Sequence, residues 1–258
     1  MPKGGIRPII KCPECGEVKP HKARGLCSRC YEKFRYYKRV ADKQLHNRRK
    51  KDVNIAFFKV WGMEMAYTLG FICSDGYIHP TLNSFVIYNT DYDILNKMKA
   101  AMSAEKEIAC YEKTKVYRLD ISQKEIVKDL LKLGLTPAKS LTLKFPEVPN
   151  EYLSHFIRGY YDGNGCIQFK QTGNKPQITV RISTGSKDFA EGAIEAISKN
   201  EGISDSIHII KGEKNNYYNV DFYGYNAIRF ISWIYWNADG FYLAQKHDKA
   251  INFLTQFI

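Results

Sequence analysis

The chain has 258 residues, 44% of them hydrophobic, enough to fill one large core or two to three small ones. No run approaches the roughly 18 apolar residues that span a bilayer, and the opening MPKGGIRPII lacks the apolar centre of a signal peptide. We therefore expect no membrane partner and an intracellular, cytoplasmic protein, with an organellar or phage setting left open. The net charge of +12 is uneven: residues 1–58 carry 16 Lys/Arg against 5 Asp/Glu, a balance of +11, while residues 59–258 carry 23 against 22, a balance of +1. A basic front on a neutral body points to a polyanionic partner, most often nucleic acid.

The first expected module, residues 1–32, holds Cys12, Cys15, Cys27 and Cys30 in the spacing C-x2-C-x11-C-x2-C. Paired thiolates at this spacing each clasp one side of a tetrahedral Zn(II). CPECG reads as a tight turn that aims the first pair inward, and GLCSRCYEKF as the start of a helix carrying the second. His21 is a weaker substitute ligand. A reducing cytosol disfavours disulfides. Cys73, Cys110 and Cys166 stand alone and read as core residues.

Residues 33–58 read as a basic helix or linker. Tyrosines interleave with cations in YEKFRYYKRVADKQLHNRRKKD, the composition that suits a phosphate backbone. Arg35, Arg39, Arg48, Arg49 and Lys50 are the expected contacts; a solvated linker helix is the alternative.

The body is a duplication, expected as 59–149 and 150–258. LGFICSDGYI (69–78) is echoed by RGYYDGNGCI (158–167), and superposing Gly70 on Gly159 aligns Asp75 with Asn164 and Gly76 with Gly165. SFVIYNTDYDILNKMKAAM (84–102) is answered by ITVRISTGSKDFAEGAIEAI (178–197), VYRLDIS (116–122) by YYNVDFY (217–223), and TPAKS (136–140) by YLAQK (242–246). Each copy reads helix, strand, strand, helix, strand, strand, helix, an α+β fold of two pseudo-symmetric αββαββα repeats. Each motif ends a helix, expected at about 62–74 and 151–163, with Gly76 and Gly165 expected in the left-handed conformation that terminates it. Gly70 and Ser74 lie one turn apart, as do Gly159 and Gly163, so the two helices can touch backbone to backbone.

That packing would set two helix C-termini side by side. Each carries partial negative charge and unpaired carbonyls, and Asp75 adds to it. A cation is the simplest remedy. Asp75 and Asn164 side chains with backbone oxygens near Ser74 and Gly163 form a hard-oxygen set suited to Mg(II), Mn(II) or Ca(II).

Strand alternation picks base-reading candidates. Thr179, Arg181 and Ser183 face away from Ile178, Val180 and Ile182; Arg118 and Asp120 away from Leu119 and Ile121; and Tyr217, Asn219 and Asp221 form the outward set of the last strand. Gln168 and Lys170 follow the second motif. Arg can read guanine edges, Asn adenine and Asp the cytosine amine.

At YTLGFICSDGYI (67–78) and FIRGYYDGNGCI (156–167) the chain resembles the LAGLIDADG homing endonuclease family in its monomeric two-repeat form, and LGLTPAKSLTLKFPEVPNEYLSHFIRGYYDGNG (133–165) is similar to the segment between repeats. The resemblance covers about residues 60–258. It implies two sheets laid on the major groove of double-stranded DNA, divalent metal held by the last acidic residue of each motif, a metal-activated water, and cleavage across the minor groove with short 3′ overhangs. By position, Lys139 and Lys246 carry the roles of loop lysines that contact scissile phosphates or activate the nucleophile.

The second motif departs from the family at Asn164, which offers an oxygen without charge. Three accounts fit: an engineered change that traps bound DNA uncut, a natural residue of a nicking or slowed enzyme, or substitution by Asp162. The last is disfavoured, since Asp162 points about 200° round the helix from Asn164. The leading reading is a site-specific DNA endonuclease, either of an intron or free-standing; the competing one is a maturase binding intron RNA, or a DNA-binding regulator, on the same scaffold. No splicing-type Cys or Ser start and no terminal His-Asn pair appear, which sets an intein context aside.

Overall fold

A computed structural model describes residues 8–36, 53–172, 175–203, 206–211 and 216–255, and the chain divides into two units, Met1–Asp52 and Val53–Ile258. In the first unit, β1 (Ile9–Lys11), β2 (Val18–Ala23) and β3 (Leu26–Cys27) pair antiparallel in the order β1-β2-β3, and a helix, α1, runs over 28–36. Its buried centre is Cys12, Cys27 and Cys30 with Leu26 packed beside them. So small an apolar centre cannot hold a fold by burial alone, which is why structural metals occur in modules of this size.

The second unit begins at Val53 rather than at residue 59. Phe57 and Phe58, on a single 3-10 turn (Phe57–Lys59), are buried in its core, so the last residues of the stretch read as linker, from Val53 on, belong to the body. Two copies of one arrangement follow. The first contains α2 (Met63–Asp75), β4 (Gly76–Ile78), β5 (Phe85–Asn89), α3 (Tyr92–Ala101), β6 (Ala109–Tyr111), β7 (Val116–Ile121) and α4 (Lys124–Lys132). The second contains α5 (Asn150–Asn164), β8 (Gly165–Thr172), β9 (Lys175–Thr184), α6 (Lys187–Glu201), β10 (Ser206–Lys211), β11 (Asn216–Tyr223) and α7 (Gly224–Tyr235). An eighth helix, α8 (Ala244–Leu254), follows in the second copy and was not expected. The sheets run β4-β5-β7-β6 and β8-β9-β11-β10, all antiparallel, with the same strand order in each copy.

Helices α2 and α5 are buried nearly all round. From Met65 to Cys73 every residue of α2 is buried, and α5 is buried continuously from His155 to Asp162. A helix apolar on every side must have partners on every side; here each packs on the other and on its own repeat. The contact is backbone to backbone. A methyl group added at Gly70 would overlap the Phe156 carbonyl oxygen, and one at Gly159 the Tyr67 carbonyl oxygen. The pair is reciprocal, the signature of a local twofold.

Gly76 and Gly165 end the two helices in another way than expected. Their φ angles are −77° and −97°, in extended backbone, and their N–H groups donate to Ile72 and Tyr161 carbonyls. Glycine is needed there because a Cβ would collide with the Ile72 side chain in one copy and the Tyr161 ring in the other.

We predict that Gly70→Ala or Gly159→Ala lowers stability by about 3 kcal/mol or more, since neither backbone can yield without separating the helices. Gly62→Ala, at an extended glycine with open space around it, should leave the melting temperature nearly unchanged. Thermal melts of the three variants check this.

Candidate functional site

The helix pairing brings the two motif ends together. A Cβ at Gly163 would overlap Ser74 and lie 3.2 Å from Asp75 Oδ2. Asp75 and Asn164 are the last residues of α2 and α5, both half-buried, where the strands β4 and β8 depart. Burial raises the Asp75 carboxyl above its ordinary pKa of 3.8, and Lys246 and Lys139 pull it back. Asn164 interacts with the Tyr160 hydroxyl, which burial pushes up to about 12.

The two lysines are not loose loop side chains. Lys139 is only 6% exposed, in the 3-10 turn Lys139–Leu141, entered through Ala138 in the left-handed region (φ 56°). Its Nζ donates to the Gly76 carbonyl at 2.5 Å. Lys246, in the first turn of α8, donates to the Tyr161 carbonyl at 2.8 Å and the Gly163 carbonyl at 3.4 Å, with its ammonium 5.4 Å from the Tyr161 ring. Burial lowers both ammonium pKa values, and Asp75 is among the groups that raise them again. So each helix end already has a cation at its carbonyls, supplied by a lysine. One half-buried carboxylate, one amide and the nearby carbonyls remain as hard-oxygen donors. They fit a single divalent ion at the Asp75 side better than a pair, because the set carries one negative charge against two ammonium groups.

Asp162 plays a different part from Asn164. Its carboxylate is 1% exposed and accepts from Tyr67 Oη at 2.7 Å, Tyr235 Oη at 2.8 Å and Leu243 N at 2.8 Å. One turn earlier, Arg158, also 1% exposed, donates to Phe241 O and Ile234 O, both at 2.8 Å, and lies 2.9 Å from His155 Nδ1. Its guanidinium sits 5.4 Å from the Tyr67 ring centre. This network ties α5 to α2 and to the segment leading into α8, and so fixes where Lys246 stands. The sequence carries a signal of this network: His155, Arg158 and Asp162 recur at helical spacing on one face of an otherwise apolar stretch.

The four module cysteines meet as expected. Their sulfurs all lie within 4.8 Å of one another, with Cys15 and Cys27 3.8 Å apart. Zn–S bonds of about 2.3 Å place tetrahedral ligand sulfurs about 3.8 Å from each other, so the quartet fits Zn(II). The Cys27 N–H, 3.5 Å from Cys12 Sγ, leads the effects that draw the Cys12 thiol down to about 6. His21 accepts from Gly25 N at 3.0 Å and is absent from the cluster. Of the lone cysteines, Cys73 is buried as expected, but Cys110 is exposed on the edge strand β6, and Cys166 is half-buried on the outward face of its sheet, opposite Arg181.

Those outward faces follow the expected alternation. Leu119 and Ile121, Ile178, Val180 and Ile182, and Val220 and Phe222 are buried. Arg118 and Asp120 pair on the other face of β7 at 2.7 Å. Thr179, Arg181 and Ser183 are half-buried, Gln168 is exposed and Tyr217 is 53% exposed. Asn219 and Asp221 share the face but are 4% and 0% exposed, because Arg181 and Ser183 on the neighbouring strand cover them. They cannot contact bases as proposed from alternation. Arg35 pairs with Glu32 at 3.6 Å within α1. Arg39, Arg48, Arg49, Lys50 and the Lys170 side chain lie outside the described residues.

Residues 151–235 match the LAGLIDADG-like domain. That segment runs from the first turn of α5 through α7 and contains Asp162, Asn164, Arg181 and Asp221. A 150-residue stretch is 26% identical to the probable translation initiation factor IF-2 of Methanocaldococcus jannaschii, covering 54% of this chain but 12% of that protein, so the chain spans about an eighth of its relative's length. Among solved structures, the chain is similar to full-length DUF199/WhiA from Thermatoga maritima (12% identity, TM-score 0.48, 77% of this chain and 64% of that one). It is also similar to the I-LtrWI LAGLIDADG homing endonuclease bound to target DNA (15%, 0.48, 79% and 90%) and to I-DmoI in complex with DNA and Ca (17%, 0.46, 70% and 90%). No helix among the described residues is long and apolar enough to cross a membrane.

Two predictions follow from this geometry. Elemental analysis of purified protein should find about one zinc per chain, lost in Cys12→Ser. The second concerns acid. Burial, with Arg158 beside it, lowers the His155 pKa from 6.5 to about 4. The unfolded chain therefore binds this proton first, and stability is present above pH 6.5 and lost as pH falls toward 4, by on the order of 2 kcal/mol. His155→Asn keeps an acceptor for Arg158 and should flatten the melting temperature across that range.

Proposed function

We propose that the chain binds double-stranded DNA across its two sheets and, with a divalent ion at the Asp75 side, hydrolyses one strand efficiently and the other poorly. The observation that carries this reading is the meeting of the two motif ends. Asp75 lies beside Gly163, the residue before Asn164, and Lys139 and Lys246 stand behind each end.

Asp75 with the Asn164 oxygen and the Gly163 carbonyl are the residues that would hold Mg(II), or Mn(II) or Ca(II) in a bound but uncut state. Such an ion supplies charge stabilisation at the phosphate and a more acidic bound water. The chain's own contribution is positional. Buried ammonium groups at Lys139 and Lys246 hold the helix-end carbonyls in place and offer positive charge to a phosphate entering between the sheets. With Asp162 committed to three donors inside the protein, Asn164 has no carboxylate to stand in for it, and the second half is short of one negative charge. The four-cysteine module, loaded with Zn(II), and the basic residues after it, Arg39, Arg48, Arg49 and Lys50 among them, extend the contact through the phosphate backbone. We take the protein to act as a monomer, with both active halves in one chain.

A second reading, a DNA-binding protein that does not cut, draws support from the lysines: they already satisfy the terminal carbonyls that a metal would otherwise serve. A maturase acting on intron RNA shares that support.

Asn164→Asp should convert nicking to double-strand cutting in Mg(II), scored on a supercoiled plasmid carrying a selected site. Asp75→Asn should lower cutting by about 100-fold or more, since even residues behind a metal ligand cost 10–100-fold. Cutting by neither Asn164→Asp nor the unaltered chain would favour the non-cutting reading.

A further inference from the structure

On the outward face of the second sheet, Arg181, Asn219 and Asp221 form one group in which a single side chain reaches solvent. Arg181 and Asp221 are directly opposite each other on β9 and β11. Arg181 Nε and Nη2 donate to Asp221 Oδ1 and Oδ2, both at 2.6 Å. The Asp221 side chain is 1% exposed and that of Arg181 28%. Tyr223 Oη donates to Asp221 Oδ2 at 3.0 Å. Asn219 closes the other side: with its amide turned to suit both neighbours, the nitrogen donates to Ser183 Oγ at 3.0 Å and the oxygen accepts from Arg181 Nε and Nη1, both at 3.3 Å.

A guanidinium has five N–H groups in a rigid plane. Asp221 takes two of them along the Nε–Nη2 edge and the Asn219 oxygen lies within reach of Nε and Nη1, so the N–H groups left over are on the terminal nitrogens of a side chain that is 28% exposed. One N–H on each terminal nitrogen makes a pair of donors, the complement of the O6 and N7 acceptors of guanine in the major groove. A long, flexible side chain normally loses rotamer freedom when it binds; here the ion pair has already fixed it. The first sheet lacks this arrangement. Arg118 makes one bond to Asp120, which also serves Lys106 at 3.1 Å and Ser122 at 3.0 Å, and Arg118 Nε is buried without a partner.

We propose that Arg181 is a guanine-reading side chain of the second sheet, and that Asp221 and Tyr223 are positioning residues that set its edge without touching DNA. The inference rests on the reading of that sheet as a duplex-DNA surface. It replaces Asp221 as a base contact with Asp221 as the support of one.

The full chain, loaded with zinc and held in Ca(II), is used to select binders from a random-sequence duplex library. A selected duplex is then rebuilt with 7-deazaguanine, which lacks N7, at each guanine in turn. One position should lose about tenfold in affinity, the scale of a bidentate base contact. In Arg181→Gln that same substitution should make no difference. Asp221→Asn should shrink the loss, and Tyr223→Phe, altered at an exposed ring, gives the same readout if Asp221→Asn folds poorly. A 7-deazaguanine effect that survives Arg181→Gln, or selected duplexes with no sensitive guanine, overturns the proposal while leaving DNA binding intact. A chain that retains no duplex from the library overturns the DNA reading and this inference together.

Discussion

Everything in the second unit is arranged around the contact of two backbones at Gly70 and Gly159. Helices that touch through side chains sit 8–10 Å apart; with glycine at the crossing, each helix lies against the other's carbonyls instead. That closeness has a cost at the C-terminal ends, where two sets of unpaired carbonyls and one carboxylate share a small volume. Lys139 and Lys246 meet this cost from outside the helices, one from a 3-10 turn and one from α8. The site is thus a consequence of the packing. Residues that would repel one another are held together by apolar burial along the rest of α2 and α5.

The two halves reach this end by unequal means. In the second, Asp162 and Arg158 build a buried polar network that grips Tyr67, Tyr235, and the backbone of Ile234, Phe241 and Leu243. In the first, the position aligned with Asp162 is Cys73, buried and apolar, and only the 3-10 turn Lys139–Leu141 follows α4 where α8 follows α7. A buried ion is strongly destabilising once its partners are gone, so such a network fixes geometry even where it adds little net stability. It is the means by which α8 is set against α5.

Much of this was legible in the residues. The doubled motif, the small residues one turn apart and the paired cysteines carry their meaning in short spacings, and the α+β order followed from alternation in strands such as ITVRIS. What was not legible depends on partners far away in the chain. Asp221 looks like an outward strand residue, and it is, but Arg181 from 40 residues earlier closes over it. Lys139 looks like a loop lysine because nothing local announces that Ala138 turns the chain left-handed and buries it. Gly76 and Gly165 fit the pattern of left-handed caps, yet the constraint on them is steric and comes from Ile72 and Tyr161, four residues back.

The presence of both copies in one polypeptide has a further consequence. A pair of identical subunits meeting on the same axis would have to carry the same residue at both seats, two aspartates or two asparagines. Covalent fusion releases that restriction. Each seat can then change by a single codon without its counterpart following, and a molecule with unlike seats, such as Asp75 opposite Asn164, becomes attainable in one step.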